Sequence, residues 1–432
     1  MIDFPLVRHT LANGLRVVVA EDHTWPLVAV NLWYNVGSRH EPPGRTGLAH
    51  LFEHLMFQGS AHVQGTGHIT WIERVGGVVN GSTWFDRTNY YETVPAHWVE
   101  LALWLEADRM ATLAAALTKE KLDTQREVVK NERRWRIDNQ PYGDWDERLQ
   151  ALLFPPDHPY HHPVIGSMAD LDAATLEDAI AFFRTYYAPN NAVVTLCGDV
   201  AADRALALLE TYFGDIPPGP PPPPPPGRQT LPLRLERPAR QEVLDPGVAL
   251  PRFYLGFRIP PYGDDRFYAA DLLTHLLADG RASRLYRALV RGRQLAKDVS
   301  AFALPLIGGV AALVVRATAQ PDVAADALEV VLREELDRLI AETPAPGEVE
   351  RARLRLEAQT RFALQRVADR ADLLSMYTMF FDDPGRLATE LERYRALDAE
   401  ALRRFAAGFL DAEAQATLLY RPQPAAAAAV AA

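Results

Sequence analysis

The sequence predicts an α+β protein built from two homologous sheet-plus-helix domains related by duplication. Three observations carry this. Residues 216–227 read IPPGPPPPPPPG, with nine prolines between Pro217 and Pro226. AHLFEHLM at 49–56 is echoed by ADLLTHLL at 270–277, an offset of 221 residues. Each copy follows a β-rich segment, PLVAVNLWYNVGS from Pro26 and PRFYLGFRIPPYG from Pro251. Proline fixes φ and lacks the amide hydrogen, so the Pro-rich run joins neither helix nor sheet interior and reads as a polyproline spacer. Segregated strands and helices in each half argue for α+β layers.

Within the first half, LRVVVAED and LVAVNLWYNV alternate as strands do, and residues 47–58 form a helix. VVNGSTWFDRTNYYETVP reads as two strands around polar turns, ended by Pro95. Helices follow over 96–116, 118–138 and 173–187, and AVVTLCGDV closes the half as a strand. The second half repeats the scheme, with strands near 252–258 and 298–318. Its helices fall near 265–292, 321–341, 346–367 and 398–409. The longest uncharged apolar run, Ala301 to Val315, is short for a membrane span and is broken by Pro305, Gly308 and Gly309. Two strands around a Gly-Gly turn explain it better, so no membrane span is expected.

The 432 residues carry 45 basic and 56 acidic side chains, and 45 − 56 gives −11. That balance argues against a nucleic-acid partner, which needs basic surface. The single cysteine, Cys197, excludes both a disulfide framework and a thiolate zinc site. Any metal must be held by histidine and carboxylate. The N-terminus lacks the pattern of a secretory signal, which favours the cytoplasm. A signal already removed would place the chain in the periplasm.

The strongest chemical signal is His50-Leu51-Phe52-Glu53-His54. Residues four apart share a helix face, so both imidazoles can reach one ion, and Glu53 borders that face. Zinc suits such a site, using three protein ligands plus water. Glu53 stands ready to take the proton of zinc-activated water and pass it to a leaving amine. The flanks Leu48, Leu51, Phe52, Leu55, Met56 and Phe57 are apolar, so polar groups here need a partner. A third ligand must come from elsewhere. TQREVVKNERRWRID offers Glu127 and Glu132, and spacing alone does not choose between them.

The order His-x-x-Glu-His marks inverzincins, and here the chain resembles the pitrilysin family of zinc metallopeptidases. The resemblance runs through HLFEHLMFQGS, NGSTWFDRTNYYETVP, REVVKNERR, HPYHHPVIGSMADL and YYAPNNAVVTLCGDV, then GRASRLYRALVRGRQLAKDVSA in the second half. It implies a clamshell and one Zn2+ per chain, held by His50, His54 and Glu132, with Glu53 as catalytic base. Gln125 and Glu127 would support the ligands from behind. Asn80, Gly81 and Thr83 match a strand whose edge pairs with the substrate backbone. The implied domains are 1–215, zinc-binding and catalytic, and 231–422, homologous and metal-free. Between them lies a Pro-rich linker, 216–230, and residues 423–432 form an Ala-rich tail.

The second half departs from the family. Asp271 and Thr274 stand where His50 and Glu53 stand, and only His275 matches His54. The family's substrate-contacting Arg and Tyr are replaced by Val290 and Lys297, with Arg291 adjacent. The resemblance therefore implies the metal-bearing subunit of a heterodimer, whose homologous partner supplies Arg and Tyr. The alternative is a homodimer or monomer using Lys297 or Arg291. The expected activity is hydrolysis of short or unfolded peptides. A targeting-peptide processing peptidase and a non-catalytic assembly subunit of the same fold are the alternatives. His158, His161 and His162, in HPYHHP, read as a structural loop.

Overall fold

The computed structural model describes residues 5–423, and its described residues divide into two compact units. The first holds residues up to 131, 162–227 and 359–390, the second 132–161, 228–358 and those from 391 on. These units are not the contiguous halves of the sequence. Most of the Ala-rich tail lies outside the described residues.

The first unit is organised by a six-stranded sheet of order β1-β2-β6-β3-β5-β4. Its strands are β1 (Leu6–Thr10), β2 (Arg16–Glu21), β3 (Leu27–Tyr34), β4 (Val78–Thr83), β5 (Thr88–Pro95) and β6 (Ala192–Gly198). Only β2 and β6 pair in parallel. β6, AVVTLCG, is buried at every position, because helices cover both faces of the sheet centre. One face meets α3 (Val99–Ala116); the other meets the helix Val367–Phe381, which packs chiefly on β3 and β6. Asp372 of that helix takes three donors on one Oδ1: Trp33 Nε1 at 2.9 Å, Asn89 Nδ2 at 2.9 Å and Asn31 Nδ2 at 3.2 Å. Arg370, two residues earlier, pairs with Asp22 just after β2. β4 is an edge strand and bears on α1 (Leu48–Leu55) and α2 (Gly67–Arg74).

The second unit holds a five-stranded sheet of order β7-β11-β8-β10-β9. These are β7 (Ala239–Asp245), β8 (Arg252–Ile259), β9 (Ala296–Leu304), β10 (Ala311–Ala319) and β11 (Ala416–Pro422). β9 and β10 are the two strands expected around Gly308-Gly309, and Gly309 has φ +83°. α5 (Trp145–Leu153) lies on β8 and β11. Trp145 stacks on Tyr254 at 4.8 Å and 4°. Gly256 leaves room for Leu149 and Leu153, since a Cβ there would stand 3.0 Å from each.

Several boundaries differ from expectation. The helix expected over 118–138 is α4 (Lys119–Arg133), followed by a wider π-type turn, Arg134–Asp138. The helix expected over 265–292 stops at Ala278, just before Gly280 at φ +79°. Residues 217–225 are neither helix nor strand. Among the described residues no helix is long and apolar enough to cross a membrane.

Candidate metal centre

The start of α1 is built with care. Gly47 sits at its N-cap with φ +86°, and a Cβ there would lie 2.5 Å from the Ile165 carbonyl oxygen. The Glu41 carboxylate replaces a capping side chain, accepting from Gly47 N at 2.8 Å and Ala49 N at 2.7 Å. Burial pushes the Glu41 carboxyl well up, against the pull of those two amides. Leu48, Ala49, Leu51, Phe52 and Leu55 form the buried side of α1, with Phe52 stacked on Phe183. The 3.6-residue period then leaves His50, Glu53 and His54 together on the half-buried side.

The two imidazoles stand edge to face with ring centroids 4.9 Å apart. Glu132 joins them. It occupies the last turn of α4, whose body belongs to the first unit, and the continuous helix carries it. One ligand atom from each of His50, His54 and Glu132 lies within 4.8 Å of the others. Glu132 Oε1 also accepts from Arg136 Nη1 at 2.5 Å. Two nitrogens and a carboxylate oxygen at this spacing are close enough to hold one metal ion, and imidazole and carboxylate are donors that zinc accepts. Glu53 Oε2 accepts from Thr83 Oγ1 of β4 at 2.6 Å. Gly81 lies over the same residue: a Cβ there would stand 3.2 Å from Glu53 Cγ and 3.1 Å from the Tyr90 ring.

The other expected residues fall out as follows. Gln125 is buried in α4, two turns before Glu132 and on its side of the helix. Glu127 is not with them. It is exposed, paired with Lys130 at 3.1 Å, because five residues from Glu132 is about 140° round the helix. Asn80, Gly81 and Thr83 all lie on the edge strand β4. In the second unit, Asp271 accepts from Tyr394 Oη at 2.8 Å, and His275 pairs with Asp279 at 3.1 Å. Arg291 and Lys297 are exposed. The histidine-rich loop is structural: His161 Nδ1 bonds the Phe154 carbonyl at 2.7 Å, and His158 stacks on Phe154.

Sequence reasoning missed a buried cluster beside the site. His68 Nε2 bonds Glu92 Oε1 at 2.8 Å, and Arg109 Nε bonds Glu106 Oε2 at 2.9 Å. The Arg109 guanidinium lies 4.3 Å from the Tyr90 ring centroid and 5.1 Å from that of Phe57. Burial raises the Glu92 carboxyl well above its usual range, with Glu106 adding to it. His68, Glu92 and Glu106 are close enough to hold an ion, but the Arg109 charge already answers the carboxylates. The cluster borders Gly81 through the Tyr90 and Phe57 rings, which a Cβ at 81 would meet at 3.1 and 3.3 Å. The available signal was an acid and an arginine three apart, Glu106 and Arg109, on the buried side of VELALWLEADRM.

Comparison with known proteins agrees with the fold. Residues 16–148 match the sequence profile of the insulinase family (peptidase family M16), and residues 173–356 that of the peptidase M16 inactive domain. The zinc protease PqqE of Helicobacter pylori is 30% identical over 385 residues, covering 87% of this chain and 84% of the relative. An uncharacterised zinc protease of Mycobacterium leprae is 31% identical, covering 75% and 71%. The crystal structure of a protease from H. pylori superposes with TM-score 0.90 at 29% identity, over 97% of this chain and all of that one. The periplasmic protease PqqL of Escherichia coli shares the fold at TM-score 0.77 and 19% identity, over 97% of this chain and 48% of that one.

Proposed function

The chain belongs to the insulinase, or M16, peptidase family, and from that premise we propose that it is a zinc-dependent endopeptidase acting on short or unfolded peptides. The observation that carries this is the convergence of His50, His54 and Glu132 beside Glu53. Zinc bound there would polarise a peptide carbonyl and bring the pKa of water from 15.7 to about 7. The residues of the chain do the rest. β4 offers its edge to an extended peptide, reading main chain more than side chain. Thr83 holds the Glu53 carboxylate at the end of that strand. Glu53 moves one proton from the attacking water to the leaving amide nitrogen. Asn80 and Gly81 lie on the same strand, and glycine at 81 keeps the surface over Glu53 low.

Among the described residues, 228–358 hold no group of three possible metal ligands, in keeping with the inactive-domain profile over 173–356. With Val290 and Lys297 at the positions of the family's Arg and Tyr, a homologous subunit supplying those groups is the partner we propose. Hydrolysis of unstructured peptides, with and without 1,10-phenanthroline, tests the activity. Loss of cleavage with chelator, restored by zinc and abolished in Glu53→Gln, is the expected result. Chelator-resistant cleavage, or full activity in Glu53→Gln, overturns the reading. Co-purification from the native source tests the partner; a lone chain cleaving at full rate overturns the heterodimer.

A further inference from the structure

We propose that a cavity of the second unit, floored by Arg258, binds a singly charged carboxylate on a straight apolar chain, a ligand of the fatty-acid type. None of its lining residues is His50, Glu53, His54 or Glu132, and the inference does not depend on the peptidase reading.

β8 supplies the floor. Alternate side chains of a strand share a face, so Arg258 lies on the face of Gly256, which meets Leu149 and Leu153 of α5. Arg258 is 9% exposed. Its Nε donates to the carbonyl of Leu153, the last residue of α5, at 2.5 Å, and its Nη1 to the Pro232 carbonyl at 3.3 Å. Among the described residues Arg258 forms no ion pair, and its Nη2 bonds nothing. A helix C-terminus carries about half a negative charge. The end of α5 therefore answers part of the guanidinium charge and leaves part for a ligand. Burial works against that charge, with Glu236 opposing the effect and Arg228 adding to it. A buried charge without a counter-ion is costly, so an anion entering here is stabilised.

The walls are apolar. Leu152 and Pro155, at the end of α5, and Leu231, Leu235 and Pro238, from the segment after the proline run, line a volume of about 640 Å³. Small-molecule sites occupy about 300–1,000 Å³. Pro155, Pro232 and Pro238 offer no N–H, so a peptide lying here would find few donors for its carbonyls. An alkyl chain asks for none, and it would bury its surface against the leucines.

Charge selects the head group. Arg228, Arg237, Arg240 and Arg258 line the cavity against one acid, Glu236, whereas the chain as a whole carries −11. This local excess of positive charge draws anionic amphiphiles and repels cationic ones. Arg228 is already paired with Asp157 at 3.1 Å, and Arg240 with Glu329 at 2.6 Å. Glu236 offsets the exposed Arg237. The charge left over is that of a single buried guanidinium, which matches a carboxylate rather than a doubly charged phosphate.

The test is isothermal titration calorimetry of the full chain with decanoate, kept below its micellar concentration. Decanol, decyltrimethylammonium, decyl phosphate and octanoate are the comparisons. Decanoate should bind at a single site, roughly tenfold or more tightly than decanol or decyltrimethylammonium. Octanoate, shorter by two methylenes, should bind roughly tenfold more weakly than decanoate. Arg258→Met should weaken decanoate by roughly tenfold to a hundredfold. Leu235→Glu, which puts like charge in the wall, should weaken it by roughly tenfold. Arg258 also holds Leu153 and Pro232, so the half-buried Leu235→Glu carries the test if Arg258→Met does not fold. Absence of decanoate binding, or equal binding of decanoate and decanol, overturns the proposal. So does tighter binding of decyl phosphate, or an unaltered decanoate affinity in the folded variants. An apolar tripeptide with a free C-terminal carboxylate that binds more tightly than decanoate overturns the fatty-acid class.

Discussion

Thr83 Oγ1 donates a 2.6 Å hydrogen bond to Glu53 Oε2, tying the end of the edge strand to the helix that carries both histidines. A hydrogen bond to a charged group contributes about 1.5–3 kcal/mol. Thr83→Val, which keeps the shape and removes the hydroxyl, should therefore lower kcat by roughly tenfold to a hundredfold. Thr83→Ser should restore most of it. Zinc content by atomic absorption should match wild type in both variants. If Thr83→Val is as active as wild type, the bond does not orient the base.

Glu132 and Glu127 lie on one helix and should behave oppositely. Loss of outer groups around a metal costs about 10–100-fold in affinity, so Glu132→Gln should lose more than about a hundredfold. Glu127→Gln, whose parent side chain faces solvent beside Lys130, should hold zinc as wild type does. Competition against a chromogenic chelator measures both.

Gly47 occupies a left-handed conformation with no space for a Cβ. Gly47→Ala should destabilise by about 2 kcal/mol or more. Urea unfolding would show it, and zinc affinity should fall with it because α1 starts at this residue.

Asp372 gathers three donors from β3 and β5 on one oxygen. Asp372→Ala leaves Trp33, Asn31 and Asn89 facing an apolar gap. Unmade buried bonds cost about 1–3 kcal/mol per group, so a loss of several kcal/mol in urea unfolding is expected. An unchanged midpoint would mean water replaces the carboxylate.

Acid should unfold the protein in two stages. Burial, with Arg39 adding to it, depresses His40 to about 3. Its unfolded form takes a proton near 6.5 and the folded form does not, so stability falls as pH drops below about 6.5, by roughly 1.4 kcal/mol per pH unit. Asp22, bonded to Thr24 and paired with Arg370, is held down to about 2. Its contribution is complete above about 4 and is lost between about 4 and 2. His40→Gln should flatten the upper stage if it folds, and Asp22→Asn the lower. Chemical unfolding between pH 8 and 2 reads both.

The helix carrying both histidines, the strand pair around Asn80 and the duplicated architecture were legible because each rests on a local pattern: histidines four apart, alternating strands, an echo at fixed offset. For the third candidate ligand the sequence left two residues of one helix, Glu127 and Glu132, and helix phase explains why Glu127 faces away. The helices 145–153 and 367–381 were not anticipated. VADRADLLSMYTMFF buries Arg370, Ala371, Leu374, Ser375, Tyr377, Thr378 and Met379, so it shows no clean apolar stripe. Its polar buried residues make sense only against Thr195 and Asp22, residues well over a hundred positions away. The His68–Glu92–Glu106–Arg109 cluster was hidden for the same reason: three separate elements contribute to it.

The docking of the Asp372 helix on the first sheet has a consequence for biosynthesis. A ribosome delivers residues 1–227 long before it delivers 367–381, so the sheet waits with one face uncovered until the chain is nearly finished. Cutting the gene at the proline run would yield a fragment with that apolar face still bare, prone to clumping. Competence of the would-be peptidase unit is thereby postponed to the end of translation.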